Sequence, residues 1–138
     1  MLFYEIKVNY QRQTGENNPS NVKETYLVEG LNCADVEGRL IEDIKPFIGG
    51  DFEVPSCKKA QFYDLITSPE GDFWFKARVE LITVEDSGKE TRKKVSILIQ
   101  AANITEALKN VQSHLSSLDC EVVSIMRSPI MDVYRATN

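Results

Sequence analysis

The sequence predicts an α+β fold made of two tandem ββαββ repeats related by a pseudo-twofold axis, with helices covering one face of antiparallel sheet. Three observations support this prediction. Apolar and polar residues alternate in several segments, which is the period of half-buried strands. Two further segments place apolar residues at helical spacing. Adding 71 to the residue numbers of the first half brings its apolar pattern into register with that of the second half.

The first repeat, about residues 2–66, begins with a predicted long-looped hairpin. Its strands are residues 3–10 and 25–29, both of which alternate apolar and polar side chains. The loop between them, residues 11–21, is polar and contains Gly15 and Pro19, which favour irregular structure.

A helix is predicted after this hairpin. Asn32 is a suitable N-cap, and Asp35 occupies the acidic third position of the first turn. Pro46 followed by Gly49 and Gly50 is predicted to end the helix. The apolar face consists of Val36, Leu40, Ile41, Ile44 and Ile48.

Two short strands, residues 52–54 and 60–66, complete the first repeat and are bent or separated around Pro55. A linker rich in proline and glycine, residues 67–72, leads to the second repeat, about residues 73–134.

The second repeat follows the same plan. Its helix cap is Asn103, with Glu106 three residues later. Its helical apolar stripe contains Ile104, Ala107, Leu108, Val111, Leu115 and Leu118. Beyond this helix the numbering offset becomes 68, which pairs the identical residues Asp51, Glu53, Val54, Ser56 and Asp64 with Asp119, Glu121, Val122, Ser124 and Asp132.

We predict that residues 1–138 fold as one domain, because one helix and about 65 residues per repeat form a marginal core. The periodicity leaves open whether the repeats share one sheet or form two. The predicted core residues are Tyr4, Ile6, Val8, Val28, Leu40, Ile44, Phe75, Val79, Ile97, Ile99, Leu108, Val111 and Leu115.

The charge balance argues against one class of function, duplex DNA binding. The 138 residues include 16 Lys and Arg against 21 Asp and Glu, a net charge of −5, which disfavours a duplex DNA binder. The most apolar stretch, residues 95–102, is far shorter than the ~20 residues of a membrane helix, and no signal peptide is evident. We therefore expect no membrane association.

The three cysteines are odd in number and widely spaced, which suggests neither a disulfide framework nor a zinc site. A cytoplasmic location is predicted, with the thiols acting as small apolar side chains. The one histidine, His114, is expected at the boundary of the second helical stripe rather than as a ligand.

Paired acids are one candidate site. A pseudo-twofold axis that brought Asp64 to Asp132, or Glu53 to Glu121, would create a metal site or an acid and base pair for a metal-dependent enzyme. The favoured alternative is that these acids lie on solvated strand faces or at strand edges, since no histidine or glycine-rich loop accompanies them. We predict no catalytic, cofactor-binding or metal-binding residues, and no cofactor.

An outward sheet face is the other candidate. Phe3, Leu27, Trp74 and Leu98 have the strand parity opposite to the predicted helix-covered side, and such an apolar face needs a cover. With neighbouring cations they form a candidate interaction surface: Phe3, Leu27, Trp74, Lys76, Arg78, Lys93, Lys94 and Leu98. The leading hypothesis is a non-enzymatic interaction module for a protein partner or for self-association. The alternative is weak single-stranded nucleic-acid binding through cations and aromatic rings.

Four segments in this order and spacing carry a resemblance: YLVEGL at 26–31, PFIGGDF at 46–52, GDFWFK at 71–76 and SPIMDV at 128–133. Together they resemble an uncharacterised Bacteroidetes family of short proteins, a domain of unknown function found in bacterial chromosomes and phage-related regions. The resemblance implies a bacterial cytoplasmic setting and a role linked to mobile elements. It brings no activity, cofactor or site residue to this chain.

Overall fold

The computed structural model describes residues 2–12, 20–47 and 51–135, and its fold is mixed α and β with strands predominating. The helices of these residues are α1 (Cys33–Ile44) and α2 (Ile104–His114), and a 3-10 turn, Lys45–Phe47, follows α1. The strands are β1 (Leu2–Arg12), β2 (Ser20–Gly30), β3 (Phe52–Ala60), β4 (Asp64–Ile66), β5 (Phe73–Val84), β6 (Glu90–Ala101), β7 (Cys120–Arg127) and β8 (Ile130–Tyr134).

The chain divides into two compact units. Unit 1 comprises the described residues of Met1–Gln61 and Pro129–Asn138, and unit 2 is Phe62–Ser128. Among the described residues, each unit has a four-stranded sheet, ordered β3-β1-β2-β8 in unit 1 and β4-β6-β5-β7 in unit 2. The two halves of the sequence therefore exchange their fourth strands, since β4 joins β6 and β8 joins β2.

The exchanged strands run parallel to their neighbours. Asp132 of β8 lies opposite Tyr26, and Asp64 of β4 lies opposite Ile97. The other strand pairs of the described residues are antiparallel. The prediction of antiparallel sheet is therefore wrong at one edge of each sheet. No hairpin joins an exchanged strand to its neighbour, so no tight turn imposes the antiparallel direction.

Strand β3 is continuous through Pro55 and then ends at Ala60, so the predicted strand at residues 60–66 is reduced to the three residues of β4. The pairing of β3 with β1 shifts register between Lys7 and Asn9, beside Pro55. Proline is tolerated there because β3 is an edge strand, where a missing N–H leaves no ladder partner unpaired.

Both predicted helix caps are confirmed. The side-chain oxygen of Asn32 accepts a hydrogen bond of 2.9 Å from the backbone N–H of Asp35, and that of Asn103 accepts one of 2.8 Å from Glu106. These bonds satisfy N–H groups that the first helical turn leaves unpaired. Helix α1 ends at Ile44. The predicted stop at Gly49 and Gly50, together with Ile48 and the loop residues 13–19, lies outside the described residues.

The predicted core is confirmed except at one position. Leu108 is 37% exposed, and Ile104 of the same predicted stripe is 51% exposed. Helix α2 is short and contacts its sheet through residues spaced by four, so the side chains flanking that row stay outside. The row consists of Ala107, Val111 and Leu115.

Cys33 and Cys57 form a disulfide that joins the first turn of α1 to β3, with Cα atoms 6.1 Å apart. The prediction that the cysteines form no disulfide is therefore wrong for this pair, whereas Cys120 is free. The two residues are 24 positions apart, and the packing of helix on strand brings them together. Because disulfides persist mainly in oxidising compartments, the cysteines no longer support the predicted cytoplasmic location.

We expect the double substitution Cys33→Ser and Cys57→Ser to lower the free energy of unfolding by about 2–4 kcal/mol, because the crosslink restricts the unfolded chain. Urea unfolding followed by circular dichroism measures this change. A reductant added to the wild type should produce a similar loss, and Cys120→Ser should leave the response to reductant unchanged. A wild type whose unfolding midpoint is the same with and without reductant contradicts the prediction.

The strand exchange makes each half of the sequence depend on the other. Residues 1–66 lack β8, and residues 73–138 lack β4, so each fragment leaves one edge of its sheet incomplete. We expect the separate fragments to be poorly folded and to regain native circular dichroism on mixing, and to copurify. This experiment also tests the predicted single domain, because a fragment that melts cooperatively at the temperature of the whole chain contradicts both expectations.

Candidate anion-binding pockets

A basic pocket lies on the face of the unit 1 sheet that points away from α1. Its volume is about 490 Å³. Strand register places Lys7 directly opposite Thr25, and Asn9 directly opposite Lys23. The pocket is lined by Lys7, Asn9, Lys23, Glu24, Thr25, Pro55 and Pro129.

The unit 1 pocket has two available cations. Lys7 and Lys23 are exposed, and neither forms an ion pair within the described part of the chain. Thr25 is a buried polar residue between them. The carboxylate of Glu24 accepts hydrogen bonds from the hydroxyls of Tyr10 and Tyr26, which pack in the helix-covered core on the other face. The pocket is therefore basic despite containing a glutamate.

A second basic pocket, of about 350 Å³, lies on the corresponding face of the unit 2 sheet. Arg78 lies directly opposite Ser96, and Glu80 lies opposite Lys94. Arg78 and Lys94 are exposed and form no ion pair among the described residues. The pocket is lined by Arg78, Val79, Glu80, Lys94, Val95, Ser96 and Val123.

Arg92 forms ion pairs with the acidic residues at the rim of the unit 2 pocket. Its guanidinium contacts the carboxylates of Glu80 at 2.9 Å, Glu121 at 2.8 Å and Glu90 at 3.3 Å. Hydrogen bonds to Glu80 and then Glu121 raise the pKa of Arg92 further above its usual range, so this residue stays charged. With Glu80 already paired, Arg78 and Lys94 are left to attract an external anion.

The two pockets occupy equivalent positions of the two sheets. Adding 71 converts Lys7 to Arg78, Lys23 to Lys94 and Thr25 to Ser96, and adding 68 converts Pro55 to Val123. In each pocket one cation lies directly opposite a hydroxyl residue on the neighbouring strand. The second cation lies on that neighbouring strand, two residues before the hydroxyl.

This arrangement suits a small anion. The two cations of each pocket are diagonal neighbours, and such positions lie roughly 7–8 Å apart on antiparallel strands. Long lysine and arginine side chains can converge on one carboxylate or phosphate from this separation, and the hydroxyl can donate a further hydrogen bond. The pockets thus provide charge and hydrogen-bond donors for binding.

A model of the family described as Domain of unknown function (DUF4494) matches residues 2–136. The chain belongs to this family. The predicted membership of an uncharacterised domain-of-unknown-function family is confirmed. Comparison with curated proteins finds no match. Neither described helix of this DUF4494 chain is long and apolar enough to cross a membrane.

The structure brings only some predicted cations of the DUF4494 chain together. Arg78 and Lys94 share the unit 2 pocket. Lys76 is half-buried opposite Leu98, outside the pocket. Lys93 lies opposite Leu81, a residue of the helix-covered core, and therefore lies on the other face from Lys94.

The four apolar members of the predicted surface are mostly covered. Leu27 and Leu98 are 0% exposed, Trp74 is 5% exposed, and Phe3 is half-buried. None of the three buried side chains belongs to the helix-side core clusters, which agrees with the predicted parity. Their burial within the chain removes them from the accessible interaction surface.

The paired acids lie in different local settings. The carboxylate of Asp64 accepts a 2.6 Å hydrogen bond from Nε2 of His114 in unit 2, and Asp132 lies on β8 of unit 1. Glu121 binds Arg92, whereas Glu53 lies opposite Asn9. The described residues contain no group of three or more potential metal ligands.

The interaction surface predicted from the sequence does not include Lys7, Lys23, Thr25 or Ser96. One signal was present in the sequence, because lysine occurs at both position 23 and position 94 of the offset alignment. Recognising the pockets also required the exact pairing of β1 with β2 and of β5 with β6, which alternation does not specify.

A tyrosine and glutamate cluster lies directly behind the unit 1 pocket. Burial first, and then the hydrogen bond to Glu24, raise the pKa of Tyr26 above its usual range. Burial also raises the pKa of Tyr134, whose ring centroid is 5.8 Å from that of Tyr26. Both hydroxyls therefore stay protonated where an exposed tyrosine would ionise.

We expect the stability of the wild type to be full below the ordinary tyrosine pKa of 10.0 and to fall as the pH rises above it, because unfolding releases Tyr26 to ionise. Tyr26→Phe should flatten this alkaline decline. At neutral pH the variant should lose about 1–2 kcal/mol with the hydrogen bond to Glu24. Urea unfolding from about pH 8 to about pH 11 measures both effects.

The control for this prediction is Tyr63→Phe, because Tyr63 is 48% exposed. This substitution should leave the alkaline decline as steep as in the wild type. An equally steep decline in Tyr26→Phe contradicts the assignment.

Proposed function

We propose that this chain is a non-enzymatic interaction module that binds an acidic segment of a protein partner through its two basic pockets. The observation that carries the proposal is the occurrence of two cations and a hydroxyl at equivalent positions of both sheets. In both sheets the first cation lies opposite a hydroxyl residue, Thr25 or Ser96, and the second cation lies two residues before that hydroxyl on the same strand.

A protein carboxylate suits the pockets better than a nucleic acid does. The chain has a net charge of −5, which repels an extended polyanion but permits a local contact with a few carboxylates. Single-stranded nucleic acid also requires exposed rings for base stacking. Trp74 is only 5% exposed, and neither pocket has an aromatic lining residue.

We further infer that the module arose by internal duplication. Three features of strand register support this inference. Tyr4 lies opposite Lys59 in unit 1, and Phe75 lies opposite Arg127 in unit 2. These two pairs are equivalent, because adding 71 converts position 4 to 75 and adding 68 converts position 59 to 127. The exchanged strands also pair at equivalent positions. Finally, the β1–β3 and β5–β7 ladders break register at Lys7 and at Arg78 respectively.

The pocket proposal predicts that a fluorescent hexaglutamate peptide binds the wild type at low salt with two sites per chain. Lys94→Ala and Lys23→Ala should each weaken one class of site by about 2–5-fold, which corresponds to the ~0.5–1 kcal/mol of an exposed charge pair. Added salt should weaken binding in the wild type. Fluorescence anisotropy gives the affinities, and a titration at high peptide concentration gives the stoichiometry.

Lys93→Ala is the matched control, because it removes the adjacent lysine on the opposite face of the same strand. Its affinity should equal that of the wild type. Equal losses in Lys93→Ala and Lys94→Ala would indicate nonspecific attraction and overturn the proposal. Binding of an oligothymidine in place of the peptide, with the same dependence on Lys94, would favour the nucleic-acid alternative.

A further inference from the structure

A groove of about 880 Å³ lies in unit 1 between helix α1 and strand β8. It is larger than either basic pocket, and it lies on the helix-covered side of the sheet. Its floor is apolar, because it contains Val28 and Leu40, which are 1% and 2% exposed. Gly38 and Asp43 of α1 line one wall, and Tyr134 at the end of β8 lines the other. This α1–β8 groove can hold an extended apolar chain.

One end of the α1–β8 groove is basic. Strand β8 runs parallel to β2, and α1 begins directly after β2 and returns across the sheet, so the end of β8 lies toward the start of α1. Arg39 lines the groove there, and its guanidinium bonds to the carbonyl oxygen of Glu29 and lies 3.7 Å from the carboxylate of Asp35. With Asp35 paired in this way, Arg135 is the remaining charge that lines this end. Its guanidinium can donate hydrogen bonds to a carbonyl oxygen.

The other end of the groove is acidic. Glu42 and Asp43 lie in the last turn of α1 and are exposed, and neither forms an ion pair within the part of the chain that the structure describes. Asp132 lies opposite Tyr26, a residue of the helix-side core, so its side chain points to the same face. Burial, and then the charges of Asp132 and Asp43, raise the pKa of Tyr134, which places both carboxylates near this ring. Carboxylates beside an aromatic ring attract an organic cation.

Unit 2 supplies its own nitrogen donor at the equivalent place. Adding 71 converts Asp43 to His114, and subtracting 68 converts Asp132 to Asp64. Both strand aspartates accept a 2.8 Å hydrogen bond from the next backbone N–H, so they are held in the same way. Asp64 also accepts a hydrogen bond from His114, whereas the helix beside Asp132 carries a second carboxylate at that position. In unit 1 a nitrogen donor from another molecule can take this role.

Gly38 leaves room for a ligand along the helix wall of the groove. A Cβ atom added at this position would meet no atom of the described residues within 4 Å, so packing does not require a glycine there. A glycine inside a helix is less favourable than an alanine. The equivalent residue of α2 is Lys109. The missing side chain therefore widens the groove at the expense of helix stability.

We propose that the α1–β8 groove binds a lysine side chain of a partner protein. The ammonium group pairs with the acidic end beside Tyr134, and the methylene stem packs on the apolar floor. The partner's backbone lies at the basic end, where Arg135 donates to a carbonyl oxygen. A free polyamine suits the groove less well, because its second cation would approach Arg135. The groove lies on the opposite face of the sheet from the unit 1 pocket, and its role does not depend on the proposed binding of an acidic segment.

A titration followed by NMR tests the proposal on the isotope-labelled full chain at low salt. The probe is a pentapeptide with blocked ends and one central lysine between alanines, added up to about 10 mM because a single side chain binds weakly. The backbone amide signals of Asp43 and Tyr134 should shift and reach saturation. The same peptide with norleucine in place of lysine keeps the stem without the charge, and it should produce no saturable shift.

Three variants locate the site. Asp43→Asn should weaken binding of the lysine peptide by about 2–5-fold, as expected for the loss of one exposed charge pair. Gly38→Leu should abolish binding by filling the groove, and the open space at this position should let the variant keep the native circular dichroism. Glu37→Gln is the matched control, because Glu37 lies on α1 outside the groove lining, and it should bind like the wild type.

The proposal is overturned if the lysine peptide gives no saturable shift, if Glu37→Gln and Asp43→Asn lose affinity equally, or if Gly38→Leu binds like the wild type. Two further outcomes would assign the groove to another occupant and also overturn it. Spermidine that shifts the same signals at lower concentration than the peptide would indicate a small polyamine. Signals of the wild type that move on dilution without peptide would indicate a second copy of the chain.

Discussion

The exchange of fourth strands is the constraint on which the rest of the structure depends. Without β8, strand β2 would be an edge, and Tyr134 would be missing from the partly buried residues around the unit 1 core. Without β4, strand β6 would be an edge, and Ile66 would be missing from the same position in unit 2. Neither unit coincides with one half of the sequence: unit 1 takes β8 from the end of the chain, and unit 2 takes β4 from the first repeat, so each core depends on a long-range strand pairing.

The sequence predicted what local patterns determine. Alternation identified β1, and side-chain chemistry identified the caps at Asn32 and Asn103, because each signal depends on neighbours within a few residues. The exchange of β4 and β8 could not be predicted from local sequence patterns. β4 has only three residues, and its partner β6 begins at Glu90, so no local periodicity specifies their pairing.

Only part of the candidate site was predicted, because local patterns do not specify strand pairing. Parity correctly separated Arg78 and Lys94 from the helix-covered face, but parity states the side of a sheet and not whether that side is covered. Leu27, Leu98 and Trp74 therefore appeared available although the folded chain buries them. The pockets depend on which residues face each other across strands, and this register is a property of the pairing.

The core positions of the two units differ, whereas the pocket positions on the outer sheet faces are similar. The polar cluster of Tyr10, Glu24 and Tyr26 is replaced in unit 2 by Leu81, Val95 and Ile97, and the disulfide positions by Ile104 and Ile125. Hydrogen bonds, a crosslink and aliphatic packing are alternative means of stabilising similar helix-on-sheet layers, so these positions can diverge without loss of the fold. The outer pockets retain two cations and a hydroxyl in both units although the cores behind them differ. Packing places no such demand on exposed cations, so their repetition supports the proposed binding of an acidic partner.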